Sequence, residues 1–137
     1  MVRLITIFNK IPQVGKVTNT SLDTALQKIA LAVETHIQAN FRGPKTGRVY
    51  VIGGKVHQAS APGEAPAILS GDLAHSVRHY RHAKLEWRVP AEGVQALWEI
   101  GLRGLPKRPY MVPAAEAEGK GMARVVIQEV GGALRYV

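Results

Sequence analysis

Ser21-Leu-Asp-Thr-Ala-Leu-Gln-Lys-Ile-Ala-Leu-Ala-Val-Glu-Thr-His-Ile-Gln-Ala-Asn-Phe41 is the clearest helical stretch of the chain. Leu22, Ala25, Leu26, Ile29, Ala30, Val33 and Ile37 recur at i, i+3, i+4 and i+7 and form one apolar stripe. Asp23, Gln27, Lys28, Glu34 and Gln38 lie largely off it. The spacing predicts an amphipathic helix over 21–41, a rod of about 30 Å. Thr20 with Asp23 three residues on has the form of a capping box at its start, and Gly43-Pro44 ends it. Everything else must pack around this rod.

On its N-terminal side, Val2 to Phe8 is rich in β-branched residues and reads as a strand broken by Pro12 and Gly15. On its C-terminal side, residues 48–59 read as a hairpin turning at Gly53-Gly54, which supply the positive φ of a tight two-residue turn. Val49 and Val51 fall on one face and Tyr50 and Ile52 on the other, so both faces are apolar. Such a ribbon is barely stable alone. Bracketed by Gly43-Pro44 and Pro62-Gly63, the segment 42–66 reads as an arm that waits for a neighbour.

Ser76–Arg81 and Leu85–Pro90 form a second candidate hairpin, with Val77, Leu85, Trp87 and Val89 inward. Residues 92–102 suit a helical turn or a strand. A last helix is expected from Pro113, with Glu116 and Glu118 in its positive first turns, weakened at Gly119 and Gly121 and ended by Gly131-Gly132. Val125-Val126-Ile127 leaves a strand open there. The expected fold is α/β in the α+β sense. An antiparallel sheet of about four strands packs against the long helix and the C-terminal helix, as one domain with a projecting arm.

Composition bounds the function. The chain has 137 residues, 46% hydrophobic and 20% charged, which is ordinary for one globular domain. No apolar run approaches the ~20 residues that span a bilayer, so no membrane role is expected. The absence of cysteine removes disulfides, thiolate chemistry and cysteine-based metal sites, and points to a cytoplasmic site of synthesis. Eighteen Lys+Arg against ten Asp+Glu give +8, enough to attract a polyanion or an acidic protein surface. Between Glu34 and Glu64 the only charges are Arg42, Lys45, Arg48 and Lys55, and Arg103, Lys107 and Arg108 form a second knot. The alternative is a solvated face that keeps a small protein soluble.

Ser60-Ala-Pro62-Gly63-Glu-Ala-Pro66-Ala-Ile-Leu-Ser70-Gly71-Asp-Leu73-Ala-His-Ser76-Val77 sets a stiff lead-in before a short helix. Pro62 and Pro66 predict an extended, poorly hydrogen-bonded 60–67. Ser70 would cap the helix, with Asp72 in its first turn and Leu73 and Ser76-Val77 toward the core.

This order of residues resembles the signature of the neck, or tail-completion, proteins that join tail to filled head in long-tailed bacteriophages. Two further pieces are similar to that family in the same order: Ala96-Leu-Trp98-Glu99-Ile-Gly101 and Arg108-Pro109-Tyr110-Met111-Val-Pro113-Ala-Ala115. Ser70 stands where the family has Thr, which keeps a hydroxyl. The resemblance covers residues 60–115. It implies a structural virion protein assembled in the host cytoplasm, forming a homo-oligomeric ring between head-closure and tail-terminator or tail-tube proteins. The rival reading is a basic nucleic-acid-binding accessory protein with Arg42–Lys55 as its footprint and non-specific DNA contact.

Catalysis finds little support. His75 and His79 would pair for a metal only on a continuous helix, whereas Arg78–His82 alternates like a strand and puts His79 and His82 on opposite faces. Ser70, Asp72 and His75 lie too close along one short turn for triad geometry. Neither Gly53-Gly54 nor Gly101–Gly104 matches a phosphate loop. No cofactor, metal or catalytic residue is expected. Glu99, between Trp98 and Ile100 and near Arg103–Arg108, is either an exposed ion pair worth ~0–1 kcal/mol or a half-buried anchor for the Arg108-Pro109-Tyr110 loop.

Overall fold

The computed structural model describes residues 2–90, 99, 101 and 104–136. The expected turn or strand at 92–102 thus lies mostly outside the described residues, Trp98 included. The fold is α+β. In chain order it has α1 (Val2–Arg42), β1 (Val49–Ile52), β2 (Lys55–Gln58), α2 (Asp72–Ser76), β3 (Tyr80–Ala83), β4 (Glu86–Arg88), α3 (Met111–Gly119) and α4 (Met122–Leu134).

The long helix is twice the expected length. Residues 2–20 continue α1, so the strand expected at 2–8 does not form, and the rod is about 60 Å long. Both sheets are two-stranded pairs, and among the described residues no third strand joins either of them. A helix satisfies its backbone bonds within the segment, and Pro12 removes only one of them. Thr20 is therefore a helix-interior residue whose hydroxyl donates back to the Lys16 carbonyl at 3.0 Å, and there is no capping box. At the other end Gly43-Pro44 stops the helix where the sequence says it should.

The apolar stripe buries Ala25, Ala30, Val33, Ile37 and Phe41. Its C-terminal half builds the core with Ala74 and Val77 from one side and Tyr110 and Ala114 from the other. Phe41 and Tyr110 meet ring to ring at 5.1 Å, tilted by 49°. The tilted contact adds about 0.5–1.5 kcal/mol beyond burial.

Among the described residues there are four strands, but as two separate hairpins, β1–β2 and β3–β4, and not as one sheet. Between them run two prolines and α2, so β2 and β3 never come alongside. The second hairpin begins four residues later than expected, because the preceding backbone is bonded to α1. Gln38 Nε2 donates to the carbonyls of Ala74 (2.6 Å) and Val77 (3.3 Å), while Glu34 Oε2 accepts the His79 N–H at 2.6 Å. Asp23 Oδ1 accepts from Trp87 Nε1 and from the Leu85 N–H, each at 3.3 Å. The second of these secures a turn in which Leu85 takes φ 57°. Burial raises the Glu34 carboxyl, but hydrogen bonds from the His79 ring and backbone and the charges of His79 and Arg78 outweigh it, so its pKa is lowered. Glu34, Gln38 and Asp23 thus fasten α2 and β3–β4 to one flank of α1.

The other flank carries α3 and α4 in place of the single C-terminal helix. The chain breaks at Gly119–Gly121, where the Gly121 N–H turns back to the Glu118 carbonyl at 3.0 Å. The helix α4 includes 125–127 and runs through Gly131-Gly132 instead of ending there, closing with i→i−3 bonds at Arg135 and Tyr136. Packing along α1 overrides the ~1 kcal/mol that each glycine costs. His36 Nδ1 with Glu118 Oε1 at 2.8 Å, and Lys28 with Glu129, pin the two helices to α1.

Tyr110 is fully buried, yet nothing among the described residues hydrogen-bonds its hydroxyl. Burial, with the Glu99 charge nearby, pushes its pKa up to about 12. The unfolded chain releases this proton near 10.0, before the folded one does, so stability falls as pH rises through that window. Tyr110→Phe is expected to be neutral or to stabilise by up to about 1 kcal/mol at pH 7. Its urea midpoint should fall less than that of the wild type between pH 9 and 11.5, since the variant lacks this titration.

Candidate functional site

The three motif pieces converge. Arg108 donates from Nε to Ser60 Oγ at 2.8 Å and from Nη2 to the Ser60 carbonyl at 3.3 Å. Ser60 itself is only 5% exposed. The Gly63 N–H reaches the Lys107 carbonyl at 3.0 Å. Glu99 accepts three backbone N–H groups, from Tyr110 (2.7 Å), Met111 (3.0 Å) and Val112 (2.9 Å). It is not a surface ion pair but the cap of α3. Pro113, in the third helical position instead of the first, has no N–H to satisfy. The start of α3 is thereby closed by one carboxylate from eleven residues upstream.

Residues 60–67 are not extended throughout. Ala61-Pro62-Gly63-Glu64 closes a turn, with Gly63 at φ 85° and the Glu64 N–H on the Ala61 carbonyl at 3.1 Å, in the pattern of type II. Glu64 then clamps the base of the hairpin. Its carboxylate accepts the N–H groups of Ala61 (2.8 Å) and Thr46 (3.1 Å) and the Thr46 hydroxyl. The Thr46 hydroxyl and these two amides hold its pKa down. The clamp is therefore whole at neutral pH and is lost only as pH falls below 4.5.

Ser70 is not the cap residue of α2. Gly71 takes that place at φ 90°, and Ser70 Oγ accepts the Asp72 N–H at 3.3 Å while donating to Asp72 Oδ2 at 2.7 Å. That direct serine–carboxylate bond leaves no histidine between the two, as a triad would require. Leu73 packs against the core, Val77 is buried in it, and the Ser76 hydroxyl returns to the Leu73 carbonyl at 2.8 Å. Gly101 turns at φ 79°, with the Leu105 carbonyl only 2.9 Å from where a Cβ would stand. Pro66 is buried and Pro109 half-buried.

The hairpin stands as its turn chemistry predicts, with Gly53 and Gly54 at φ 56° and 76°. Its register pairs Val49 with Gln58, Tyr50 with His57, Val51 with Val56 and Ile52 with Lys55. Directly opposed residues share a face. One face is thus Val49, Val51, Val56 and Gln58, uncharged throughout. The other carries Tyr50, Ile52, Lys55 and His57, with the Arg48 guanidinium over the Tyr50 ring at 5.5 Å. Both are in solvent, Val51 at 72% and Val56 at 76% exposure. Of the four arm cations, Arg42, Arg48 and Lys55 are exposed, whereas Lys45 donates to the Asn40 carbonyl at 2.7 Å near the end of α1. Burial lowers the Lys45 pKa against the opposing pull of Glu64.

Between the base of the hairpin and residues 66–74 lies a cleft of about 340 Å³. Ser60, Pro66, Ser70, Gly71, Leu73 and Arg108, all motif residues, line it, and the exposed Ile68 and Leu69 form its outer lip. Sequence reasoning missed Ile68, Leu69 and His57 on this cleft, and Asp23, Glu34 and Glu64 as anchors. Only Glu64 left a signal, in the Pro-Gly turn just before it. Among the described residues no group of three His, Cys, Asp or Glu is placed to hold a metal ion, and no helix is long and apolar enough to cross a membrane. Compared with family models, curated proteins and solved structures, the chain gives no significant match.

Proposed function

We propose that this chain is a non-catalytic structural subunit that assembles into a ring at the head–tail connection of a long-tailed bacteriophage, between head-closure and tail-terminator or tail-tube proteins. The observation that carries the assembly half of this reading is the hairpin: a firmly clamped base supporting a ribbon that holds Val49, Tyr50, Val51, Ile52 and Val56 in solvent. Ribbons of this kind are marginal until covered. A head-to-tail contact between copies closes into a ring when its rotation allows. The phage half rests on the likeness of residues 60–115 to the neck proteins, whose motif residues here tie the arm, α2 and α3 into one unit.

Replacing 49–58 by a two-glycine link is the test. The melting temperature should stay within about 2 °C of the wild type, since the hairpin lies outside the core. Completion of particles in the producing cell should be abolished. A deletion variant that still yields complete particles would overturn the reading.

The cationic face of the ribbon favours a second reading, contact with nucleic acid, because a two-stranded ribbon fits the major groove. That reading requires affinity that falls steeply with salt, and it loses Arg48→Ala and Lys55→Ala as silent changes.

A further inference from the structure

Two exposed surfaces of this chain match each other. At the hairpin tip, Ile52 and Lys55 are directly opposed across Gly53-Gly54 and share a face. Ile52 is 48% exposed, and Lys55, also in solvent, is the only charged residue of 49–56. In the cleft, Ile68 and Leu69 form an exposed apolar lip, and Asp72 is the one carboxylate of the lining. Asp72 stands in solvent. Ser70 donates to its Oδ2, and its Oδ1 takes no bond from any described residue. Arg108, on the same lining, is committed to Ser60 through Nε and Nη2.

The tip does not reach the cleft of its own chain. Of the paired residues of the hairpin only His57 lines it, with Ala59 just beyond, while Lys55 stands about 7 Å further out along β2. A second copy is free to bring its tip there. That tip carries an apolar side chain for the lip and an ammonium for the carboxylate. It brings no acid with it, because the acids that flank the arm in sequence are Glu34 and Glu64. A nucleic acid or an acidic peptide would instead set its own negative charge against Asp72.

We infer that the cleft of one copy is the seat for the hairpin tip of the next, with Ile52 against Ile68 and Leu69 and Lys55 on the Asp72 carboxylate. Donor and acceptor surfaces differ, so the contact is head-to-tail, the kind that closes into rings. The inference rests on the self-assembly half of the reading above and names the surface that receives the arm.

Charge exchange tests it. Sedimentation equilibrium of the nuclease-treated protein at low salt should show association that grows with concentration. Lys55→Glu and Asp72→Lys should each weaken it at least about tenfold, since like charges then face each other. The double variant, with the pair reversed, should return to within about threefold of the wild type. Leu69→Lys should abolish association, and Lys84→Glu, an exposed cation of the β3–β4 turn, should leave it unchanged. Lys55 and Leu69 stand in solvent, so their variants fold, which melting curves check. A wild type that stays monomeric to about 1 mM, silent single reversals, or a double variant no better than its parents each overturns the inference. Association that ignores all of these changes leaves a ring built on another surface and removes this seat. Particle completion without the hairpin judges the head–tail reading separately.

Discussion

Glu99→Ala is expected to lower the melting temperature by about 10 °C. Three backbone donors converge on this one side chain, at 2.7, 2.9 and 3.0 Å. Helix caps are worth about 1 kcal/mol when one donor is served and up to about 2 in a protein. Charge-assisted bonds are roughly twice as strong as neutral ones. The Tyr110 amide belongs to a residue with no exposure at all, so water cannot easily replace the carboxylate there. A total of about 2–3 kcal/mol follows, and for a chain of this size each kcal/mol moves the midpoint by about 3–5 °C. Calorimetry reads the shift. Glu99→Gln keeps one acceptor oxygen and should recover about half of it. Amide exchange should quicken first at 110–112, because the start of α3 loses its cap before the core opens. An unchanged melt for Glu99→Ala would return this residue to the surface.

Gly47→Ala is expected to cost about 2–3 kcal/mol, a large effect for one methyl group. A Cβ at Gly47 would stand 2.5 Å from the Ala59 carbonyl oxygen and 2.6 Å from the Ser60 carbonyl carbon and oxygen. Those are backbone atoms, so no rotamer change relieves the overlap. The hairpin base must shift instead, straining the 3.0 Å bond from the Gly47 N–H to Ala59 and the Arg108 contacts to Ser60. Denaturant unfolding measures the loss. Loosened protection at Ala59 and Ala61, with the Gly53-Gly54 tip unaffected, would locate it. A variant as stable as the wild type would show that the base of the arm gives way freely, against a rigid arm.

These two residues mark different degrees of legibility. Glu99 drew attention because it sits between apolar neighbours and close to a basic loop, and its anchoring of that loop was among the readings the sequence allowed. What the sequence could not say was that backbone amides, and not a guanidinium, would hold it. Gly47 left no sign, because nothing local demands a glycine there. It is needed where Ala59 and Ser60 return from the far side of the hairpin. Asp23 misled outright. Three residues after Thr20 it has the form of a capping box, but its partners are Arg81, Leu85 and Trp87, about sixty positions away.

By itself the sequence determined the features that rest on a few adjacent residues. The apolar stripe of 21–41, the stop at Gly43-Pro44, the Gly53-Gly54 turn and the absence of thiol chemistry each follow from local sterics, periodicity or composition. Only the tertiary structure decided whether 2–8 would be strand or helix, where β3 would begin, and that α3 and α4 would part at Gly119–Gly121. It also decided that the motif residues would enclose a cleft. In these places two local conformations differ by about 1 kcal/mol or less per residue, and the choice falls to contacts made across the fold: Gln38, Glu34 and Asp23 hold the backbone before and within β3–β4, and Glu99 holds the start of α3.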